Sequence, residues 1–379
     1  MDFSLNSDQK DYKELALKFA RGEMIPKAAH FDETGEFPRE IFEKAWQAGL
    51  LNTCIPSEYG GAGFSNLDGV IICESLAYGC MGMNSSMMAN DLALLPIVIG
   101  GSDAQKKKFL TPFTEKFLLA SFCLTEPENG SDAAGIKTTI VDKGDHYEVN
   151  GSKMWITNGG YADLYVVYGT KDASLKHKGL SAIVVPKGTP GIEIGKKEDK
   201  LGHRASDTRG LTFNKVKVPK ENLLGKEGDG WQIAMKTLDH SRPLVASSAV
   251  GGAQRAMELA MAYAKERKQF GKSIAEFQAV QFMLAEMSMR TEASRMMVYQ
   301  AAWMADQGTR NTLVASQAKA MGSDGLMQTA TDALQIYGGY GYSKEYPIEK
   351  IFRDAKLLQI YEGTSQIQRM VIARELLKD

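Results

Sequence analysis

The sequence predicts an α+β protein of three parts, in which a β domain separates an N-terminal helical domain from a C-terminal helical bundle. The spacing of apolar residues carries this prediction, because it is helical in the first third of the chain, alternates near the middle and is helical again afterwards. The length of 379 residues also exceeds one ordinary hydrophobic core. We therefore predict domains over residues 1–119, 120–230 and 231–379.

Two helices are indicated in the N-terminal part. Residues 37–49 carry Pro38 at a first-turn position, apolar residues at helical spacing and a terminating Gly49. Residues 87–100 form a second, more apolar helix candidate, in which Pro96 is expected to end or kink the helix.

Alternating apolar residues indicate strands in the middle part. Tyr147 and Val149 alternate with polar residues, and the pair Asn150 and Gly151 that follows predicts a hairpin turn. Further strands are predicted over residues 154–157, 164–168, 180–185 and 211–218.

Long helices return in the C-terminal part. Their segments are rich in Ala, Met, Glu and Arg, which favour helix, and they span residues 253–268, 277–307 and 311–335. Neither an internal repeat nor a low-complexity linker interrupts the chain. The order of helices, strands and helices is therefore a property of the whole sequence.

The composition narrows the classes of function. A hydrophobic content of 44% and a charged content of 24% are typical of a globular protein, and a net charge of -1 argues against nucleic acid as a partner. We expect no membrane span, because no apolar run reaches the roughly 18 residues that a span needs. The cysteines form no CxxC pair and the histidines show no paired spacing, so we expect neither disulfides nor a metal site. The first residues resemble no targeting segment, and we expect a cytoplasmic protein.

The residues around Glu362 are the most informative part of the chain. Glu362 lies between Tyr361 and Gly363, just before an amphipathic C-terminal helix. A glycine beside a carboxylate lets bare backbone bring that carboxylate close to a substrate carbon, where a general base must lie. The segment therefore predicts a general base.

Two further candidate segments lie at the start of the β part and within it. In residues 122–132, the Asn129–Gly130 pair favours a turn that could present N–H groups and hydroxyls to a ligand, although an ordinary surface loop fits as well. In residues 154–160, Trp155 could cover a planar cofactor while Thr157, on the same strand face, offers a hydroxyl. The alternative for Trp155 is a place in the core.

A fourth group of candidates lies in the C-terminal helices. Arg267 and Phe270 could hold a pyrophosphate and an aromatic ring, and Gly338 with Gly339 lets backbone approach a ligand closely. The alternatives are a solvated helix charge and a helix C-cap. No GxGxxG follows a strand, so no dinucleotide-binding βαβ unit is predicted. The three segments of this group are residues 239–243, 266–271 and 335–341.

Together these motifs resemble the acyl-CoA dehydrogenase family, whose order and spacing they match across essentially the whole chain. They are most similar to its short- and medium-chain branch, where the catalytic Glu lies in a Tyr-Glu-Gly segment. The resemblance implies three domains, a middle domain of β-barrel-like or β-sandwich form and a C-terminal four-helix bundle. It also implies FAD as the cofactor, an acyl-CoA substrate, a homotetramer built as a dimer of dimers, and electron-transferring flavoprotein as the electron acceptor.

The same resemblance implies which residues contact FAD and acyl-CoA. Thr157 would lie near flavin N5, and Ser131 would bond the flavin phosphate or the acyl-CoA side of the cleft. The other implied FAD contacts, some across a dimer interface, are Phe122, Leu124, Thr125, Trp155, Arg267, Gln269, Phe270, Gln335, Gly338, Gly339, Thr364 and Gln366. The other implied acyl-CoA contacts are Asp239, Arg242, Tyr361 and Gly363.

The chemistry of the family implies the role of Glu362. A free Glu has a pKa of about 4.3 and is a weak base for a thioester α-proton. The resemblance implies two donors to the thioester oxygen, the Glu362 N–H and a flavin ribityl hydroxyl, which stabilise the developing enolate. Exclusion of water raises the proton affinity of the carboxylate. The β-hydrogen would leave as hydride to flavin N5, giving a trans-2-enoyl-CoA.

Asp91 departs from the family pattern, because relatives commonly carry an uncharged residue on this part of the acyl pocket. A carboxylate among Met and Leu residues must be paired or protonated. One interpretation is a second base for 1,4-elimination from a cyclic enoyl-CoA, since an Asp here resembles the branch that acts on cyclohexane- and cyclohexene-carboxyl-CoA. The other is an Asp that bonds backbone or faces solvent. Glu362 is present, so ordinary 1,2-dehydrogenation stays open.

Two other functions stay open at this point. The chain could be a non-catalytic protein that binds FAD and CoA and acts as an assembly or carrier partner for other proteins, although the intact Glu362 argues against this. An acyl-CoA oxidase would keep the same fold and use oxygen as the electron acceptor.

Overall fold

A computed structural model describes residues 4–378. Its N-terminal part is helical, and α1 and α4 each begin at a capping box, formed by Asn6 and Ser65 respectively. The predicted helix over residues 37–49 is present as α3. The helices are α1 (Ser7–Phe19), a π-helical turn (Ala20–Met24), α2 (Ile25–Thr34), α3 (Arg39–Gln47), α4 (Asn66–Gly79), α5 (Met81–Gly100), α6 (Asp103–Phe109) and α7 (Pro112–Glu115).

Helix α5 differs from its prediction at both Met81 and Pro96. It begins at Met81, six residues before the predicted start at Met87, and it continues through Pro96 to Gly100. Of the two predicted effects of Pro96, an end or a kink of the helix, the end is therefore wrong. Residues 81–91 are all buried, and packing on this scale outweighs the loss of one backbone hydrogen bond at proline.

The middle part is one sheet of eight strands in the order β6-β7-β3-β2-β4-β5-β8, with β1 paired in parallel to β4. Strand β4 is buried on both faces: Tyr165 packs towards Phe213, whereas Tyr168 packs towards Ile97 of α5. The strands are β1 (Ala120–Cys123), β2 (Thr139–Asp142), β3 (His146–Thr157), β4 (Leu164–Thr170), β5 (Leu180–Pro186), β6 (Ile192–Lys197), β7 (Thr208–Pro219) and β8 (Leu223–Leu224).

The predicted hairpin turn at Asn150 and Gly151 is wrong. Strand β3 runs straight through both residues and pairs with β7 on either side of them. The register shifts between Val149 and Gly151, and Gly151 has a φ of 147°. The glycine therefore serves a β-bulge rather than a turn. A Cβ at this position would lie 2.6 Å from the side chain of Thr138, so close packing as well as the bulge requires glycine.

The C-terminal part is a bundle of long helices. Helix α8 begins at Gly230, well before the predicted Ala253, and includes Pro243. It packs against α4, α9 and α10. The elements are α8 (Gly230–Glu266), a hairpin of β9 (Lys268–Gln269) and β10 (Lys272–Ser273), α9 (Gln278–Asp306), α10 (Thr312–Tyr337), α11 (Ile348–Leu358) and α12 (Ser365–Leu376).

Membrane-spanning helices and metal-binding clusters were both expected to be absent. Within residues 4–378 no helix is long and apolar enough to cross a membrane. The same residues contain no group of three or more His, Cys, Asp or Glu side chains that could hold a metal ion.

Candidate active site

A cavity of about 850 Å³ lies where the three parts of the chain meet. Its lining is mostly apolar, with the carboxylate of Glu362 between Tyr361 and Gly363. Residues from α5, β1, β3, α8 and α12, and from the loops that follow β1 and α9, contribute. They include Ser85, Met88, Ala89, Leu92, Phe122, Leu124, Thr125, Ser131, Trp155, Thr157, Asp239, Arg242, Arg310, Ile367, Met370, Val371 and Arg374.

Glu362 lies in the short segment between α11 and α12. Its backbone has a φ of 53°, a left-handed conformation that is strained for a residue with a side chain. The Ser241 hydroxyl donates a hydrogen bond of 2.6 Å to its carboxylate. Gln368 donates to the Glu362 carbonyl at 3.0 Å. The surrounding structure thus holds both the backbone and the side chain of Glu362.

Two opposing effects set the proton affinity of Glu362. Burial raises the pKa of its carboxyl group, and this effect is the larger. The hydrogen bond from Ser241 and the positive charges of Lys319 and Arg242 act in the other direction. The result is a carboxylate with a pKa above its ordinary value, which makes it a stronger base than a Glu in water.

Arg242 and Asp239 form an ion pair at the cavity wall. The guanidinium donates to Asp239 at 3.0 Å, and Thr312 donates to the same carboxylate at 2.6 Å. Arg242 is buried, and its Nε atom has no hydrogen-bond partner in the described part of the chain. Buried donors are rarely left without a partner, so this atom keeps a hydrogen-bonding capacity that the described residues do not use.

A buried ion pair fixes the loop after β1. Lys153 donates to the Glu126 carboxylate at 2.8 Å and to the Leu124 carbonyl at 2.9 Å. Glu126 also accepts from the backbone N–H groups of Lys137 and Thr138. The loop that carries the cavity-lining residues Leu124, Thr125 and Ser131 is therefore anchored to the sheet.

Trp155 lies at an irregularity in β3. The pairing register shifts between Lys153 and Ile156, and Trp155 has a φ of 62°. Its side chain is 55% exposed although it is large and apolar. Trp155 and Thr157 both line the cavity, so Trp155 lies at the ligand side rather than in the core.

The structure divides the predicted FAD contacts into two groups. The first group lines the cavity and consists of Phe122, Leu124, Thr125, Ser131, Trp155 and Thr157. The predicted substrate contacts also line it, namely Asp239, Arg242, Tyr361 and Gly363. Eight other predicted FAD contacts do not, namely Arg267, Gln269, Phe270, Gln335, Gly338, Gly339, Thr364 and Gln366.

Most of the second group lies exposed at one end of the bundle. Phe270, in the turn of the β9–β10 hairpin, has a φ of 53° and is 92% exposed. The Arg267 guanidinium lies over the ring of Tyr340, 5.5 Å from its centroid, beside the Gly338–Gly339 pair that ends α10. Thr364 caps α12 through the N–H of Ile367.

Asp91 is not brought to the main cavity. Its carboxylate accepts the backbone N–H of Cys54 at 2.9 Å, and it lines a separate cavity of about 10 Å³. Met88 lines both cavities and lies between them. Burial raises the pKa of Asp91 to about 6. This geometry corresponds to the interpretation in which Asp91 bonds backbone, and it does not support a second base facing the substrate.

Three residues that hold the Glu362–Gly363 segment in place were not predicted. Ser241 contacts the Glu362 carboxylate, Lys319 donates to the Gly363 carbonyl at 2.7 Å, and Gln368 donates to the carbonyls of both Glu362 and Gly363. Ser241 stood inside a segment already singled out. A lysine between Ala318 and Ala320 in an apolar helix was the available signal for Lys319.

The fold is a β domain between two helical domains, with a half-buried carboxylate in a mostly apolar cavity where the three parts meet. The chain belongs to the acyl-CoA dehydrogenase family. The models for the N-terminal, middle and C-terminal domains of acyl-CoA dehydrogenase match residues 6–116, 121–216 and 228–377.

Similar proteins cover the full length of the chain. A short-chain specific acyl-CoA dehydrogenase of Clostridium acetobutylicum is 42% identical over 100% of both chains. The structure of butyryl-CoA dehydrogenase from Megasphaera elsdenii is 42% identical over 100% of both chains, with a TM-score of 0.97. A chain solved in work on the electron transferring flavoprotein of Acidaminococcus fermentans is 45% identical over 100% of both chains, with a TM-score of 0.98.

Proposed function

We propose that the protein is an FAD-dependent acyl-CoA dehydrogenase in which Glu362 removes the proton α to the thioester. The observation that carries this proposal is the Glu362 carboxylate, bound by Ser241 and raised in pKa by burial inside the main cavity. Full-length similarity to named acyl-CoA dehydrogenases supports the class of reaction.

The residues of the cavity fit a flavin. Trp155 presents a large apolar face, Phe122 and Leu124 add apolar contacts, and Thr125 and Thr157 offer hydroxyls. Gly130 also lines the cavity, and a Cβ added there would meet no atom within 4 Å, which leaves space for a ligand against the backbone. When bound there, FAD supplies the acceptor for the hydride that leaves the β-carbon of the substrate.

The side chains around Glu362 prepare it as a base. Ser241 restricts its rotamer, while Lys319 and Arg242 favour the ionised form that can accept a proton. Burial makes that ionised form more basic than a Glu in water. In this proposal the Glu362 N–H donates to the thioester oxygen and stabilises the enolate.

The cavity favours ordinary 1,2-dehydrogenation over 1,4-elimination. The α5 residues that line it, Met88, Ala89 and Leu92, are apolar and suit an acyl chain or a ring equally. Asp91 lies behind Met88 and bonds the Cys54 N–H instead. Glu362 is therefore the one base that we propose, and Ser131, Asp239, Arg242, Tyr361 and Gly363 are the proposed acyl-CoA contacts.

We further propose that the chain assembles as a homotetramer. The predicted FAD contacts at Arg267, Gln269 and Phe270 are exposed and lie outside the cavity of their own chain, as expected if they serve a neighbouring subunit. Helix α9 also carries an apolar stripe of Phe282, Met289, Met296 and Trp303, each between 41% and 60% exposed. These residues recur every seven positions and form one face, which suits helix packing between copies of the chain.

Electron-transferring flavoprotein is the proposed electron acceptor. The similarity to a chain solved in work on such a flavoprotein supports this proposal. An oxidase would instead consume oxygen without any added acceptor, so the rate of oxygen uptake distinguishes the two.

The decisive experiment is anaerobic reduction of the purified flavoprotein by a panel of acyl-CoA thioesters. We expect straight-chain thioesters to bleach the yellow wild type and Glu362→Gln to abolish bleaching. Glu128→Gln is a matched control, because Glu128 is an exposed carboxylate whose side chain pairs with Lys137. Wild type that no thioester bleaches, or full activity in Glu362→Gln, would contradict the proposal. Cyclohexanecarboxyl- and cyclohex-1-enecarboxyl-CoA in the panel report on ring substrates.

A further inference from the structure

One face of α10 carries polar side chains beneath the segment that holds Glu362. Thr312 donates to Asp239, Ser316 lies 3.4 Å from the Arg242 guanidinium, and Lys319 donates to the Gly363 carbonyl at 2.7 Å. These three α10 positions are four and three residues apart, the spacing of one helix face. This face of α10 therefore contacts both the Arg242–Asp239 ion pair of the cavity wall and the Glu362–Gly363 segment.

Lys319 is the least expected member of this face. Its side chain is fully buried, and a buried ammonium group is unfavourable unless it is paired. Asp324, five residues further along α10, accepts hydrogen bonds from Gln359 at 2.7 Å and from Ser365 at 2.9 Å. The hydrogen bond of the ammonium group goes to the backbone of the residue next to Glu362.

Gln368 provides a comparison for Lys319. Its side-chain amide donates to the Gly363 carbonyl at 3.1 Å and to the Glu362 carbonyl at 3.0 Å. Gln368 and Lys319 thus hold the same strained backbone, but only Lys319 brings a charge. Any effect of charge on Glu362 can therefore be separated from an effect of geometry.

We infer that Lys319 is a positioning residue for the reaction: its ammonium group fixes the Gly363 carbonyl, and its charge keeps Glu362 ionised inside the apolar cavity. This inference rests on the proposed role of Glu362 as the base. It differs from a merely structural role, in which Lys319 would fill space in the bundle and leave the protonation of Glu362 unchanged.

The charges around Glu362 determine whether loss of the Lys319 charge raises or lowers the pKa of Glu362. Lys319 and Arg242 are the cations that lower the pKa of Glu362, and Asp324 and Asp239 face those two cations respectively. Tyr361 adjoins Glu362 in the chain, and Arg374 of α12 faces Arg242. Burial lowers the pKa of Lys319 to about 8, so it is mostly protonated at neutral pH. Loss of its charge would raise the pKa of Glu362.

The test is the pH dependence of kcat/KM for the holoenzyme with its best thioester. Lys319→Met removes the charge and keeps the length, and we expect the acid limb of the profile to move up by about one pH unit. Lys319→Arg keeps the charge and should keep the wild-type acid limb. Gln368→Met removes a hydrogen-bond donor alone, and we expect lower activity at every pH with no movement of the limb.

The outcomes separate this inference from the proposed function. If Glu362→Gln is inactive and Lys319→Met lowers activity equally at every pH, Lys319 is structural and the inference is wrong. An acid limb that moves in Lys319→Arg as well would also overturn it. If Lys319→Met does not fold, Lys319→Gln, which also lacks the charge, takes its place, and an unmoved acid limb in that variant would overturn the inference. If Glu362→Gln is active, the proposed function itself fails.

Discussion

At the scale of single residues, Ser241 is the closest protein partner of the proposed base. Its hydroxyl donates to the Glu362 carboxylate at 2.6 Å, and this bond lowers the pKa that burial raises. In Ser241→Ala the pKa of Glu362 should therefore rise, so that activity falls more at pH 6 than at pH 8. We expect kcat/KM at pH 6 to fall about tenfold, since a hydrogen bond to a charged group contributes about 1.5–3 kcal/mol. Ser241→Thr keeps the hydroxyl and is the control, and equal losses at both pH values would refute this role.

Asp91 gives a second prediction, on stability. Burial raises its pKa to about 6 in the folded state, above its ordinary value near 3.8. The folded protein therefore favours protonated Asp91, and the stability that this gives is lost as the pH rises through 6. Asp91→Asn lacks this loss, so its free energy of unfolding should improve relative to wild type between pH 4.5 and pH 7. Urea unfolding at both pH values measures this, and a constant difference would contradict the prediction.

The sequence predicted the residues that line the cavity better than the residues behind them. Glu362, Trp155, Thr157 and Arg242 stand in short motifs with residue types that chemistry requires, and all four line the cavity. Lys319 and Gln368 lie on helices whose partners are fixed only by tertiary packing. Their side chains donate to carbonyls of Gly363 and Glu362 that lie 44 and 6 residues away in sequence, and the residue type alone does not specify which backbone atom such a side chain contacts.

At the scale of elements, the contact of α4 with α8 depends on Gly251. A Cβ at this position would lie 2.1 Å from the Glu74 carbonyl oxygen. Gly251→Ala should therefore separate the helices and lower the free energy of unfolding by about 2 kcal/mol or more. Gly22→Ala is the matched control, because Gly22 has open space around it and alanine there should stabilise by about 0.5–1 kcal/mol. Equal unfolding midpoints for the two variants would contradict the close approach.

Helices and strands were predicted correctly where the local sequence pattern and the tertiary packing favour the same structure. They were predicted wrongly where a turn-forming or helix-ending residue lies inside an element that packing keeps continuous. The strands at 164–168 and 180–185 are present because their apolar runs are buried in the sheet. The Asn150–Gly151 pair signals a turn, but β7 pairs with β3 on both sides and keeps the strand continuous. Pro96 and Pro243 signal helix ends, but α5 and α8 are buried along much of their length and continue through them. Tertiary contacts of this kind are not visible in a local window.

At the scale of the whole molecule, the apolar stripe of α9 predicts the assembly. Met289→Glu combined with Met296→Glu places two charges on that stripe, so we expect the proposed tetramer to dissociate because unpaired charges would be buried between copies. Sedimentation velocity measures the change in mass. Leu175→Glu, an exposed apolar residue outside α9, is the control and should leave the mass unchanged. An unchanged mass in the double variant would show that the stripe is not the interface.

Two side chains that line the cavity, Trp155 and Glu362, sit on backbone that glycine would adopt more comfortably. Each such residue destabilises the native state by roughly 1–3 kcal/mol. Selection for thermal stability alone should therefore enrich glycine at both positions, and the resulting variants should be more stable but inactive. The strained backbone persists because the surrounding structure holds it in place. Lys153 pairs with Glu126 close to Trp155 in the chain, and Lys319 and Gln368 donate to the carbonyls of Gly363 and Glu362.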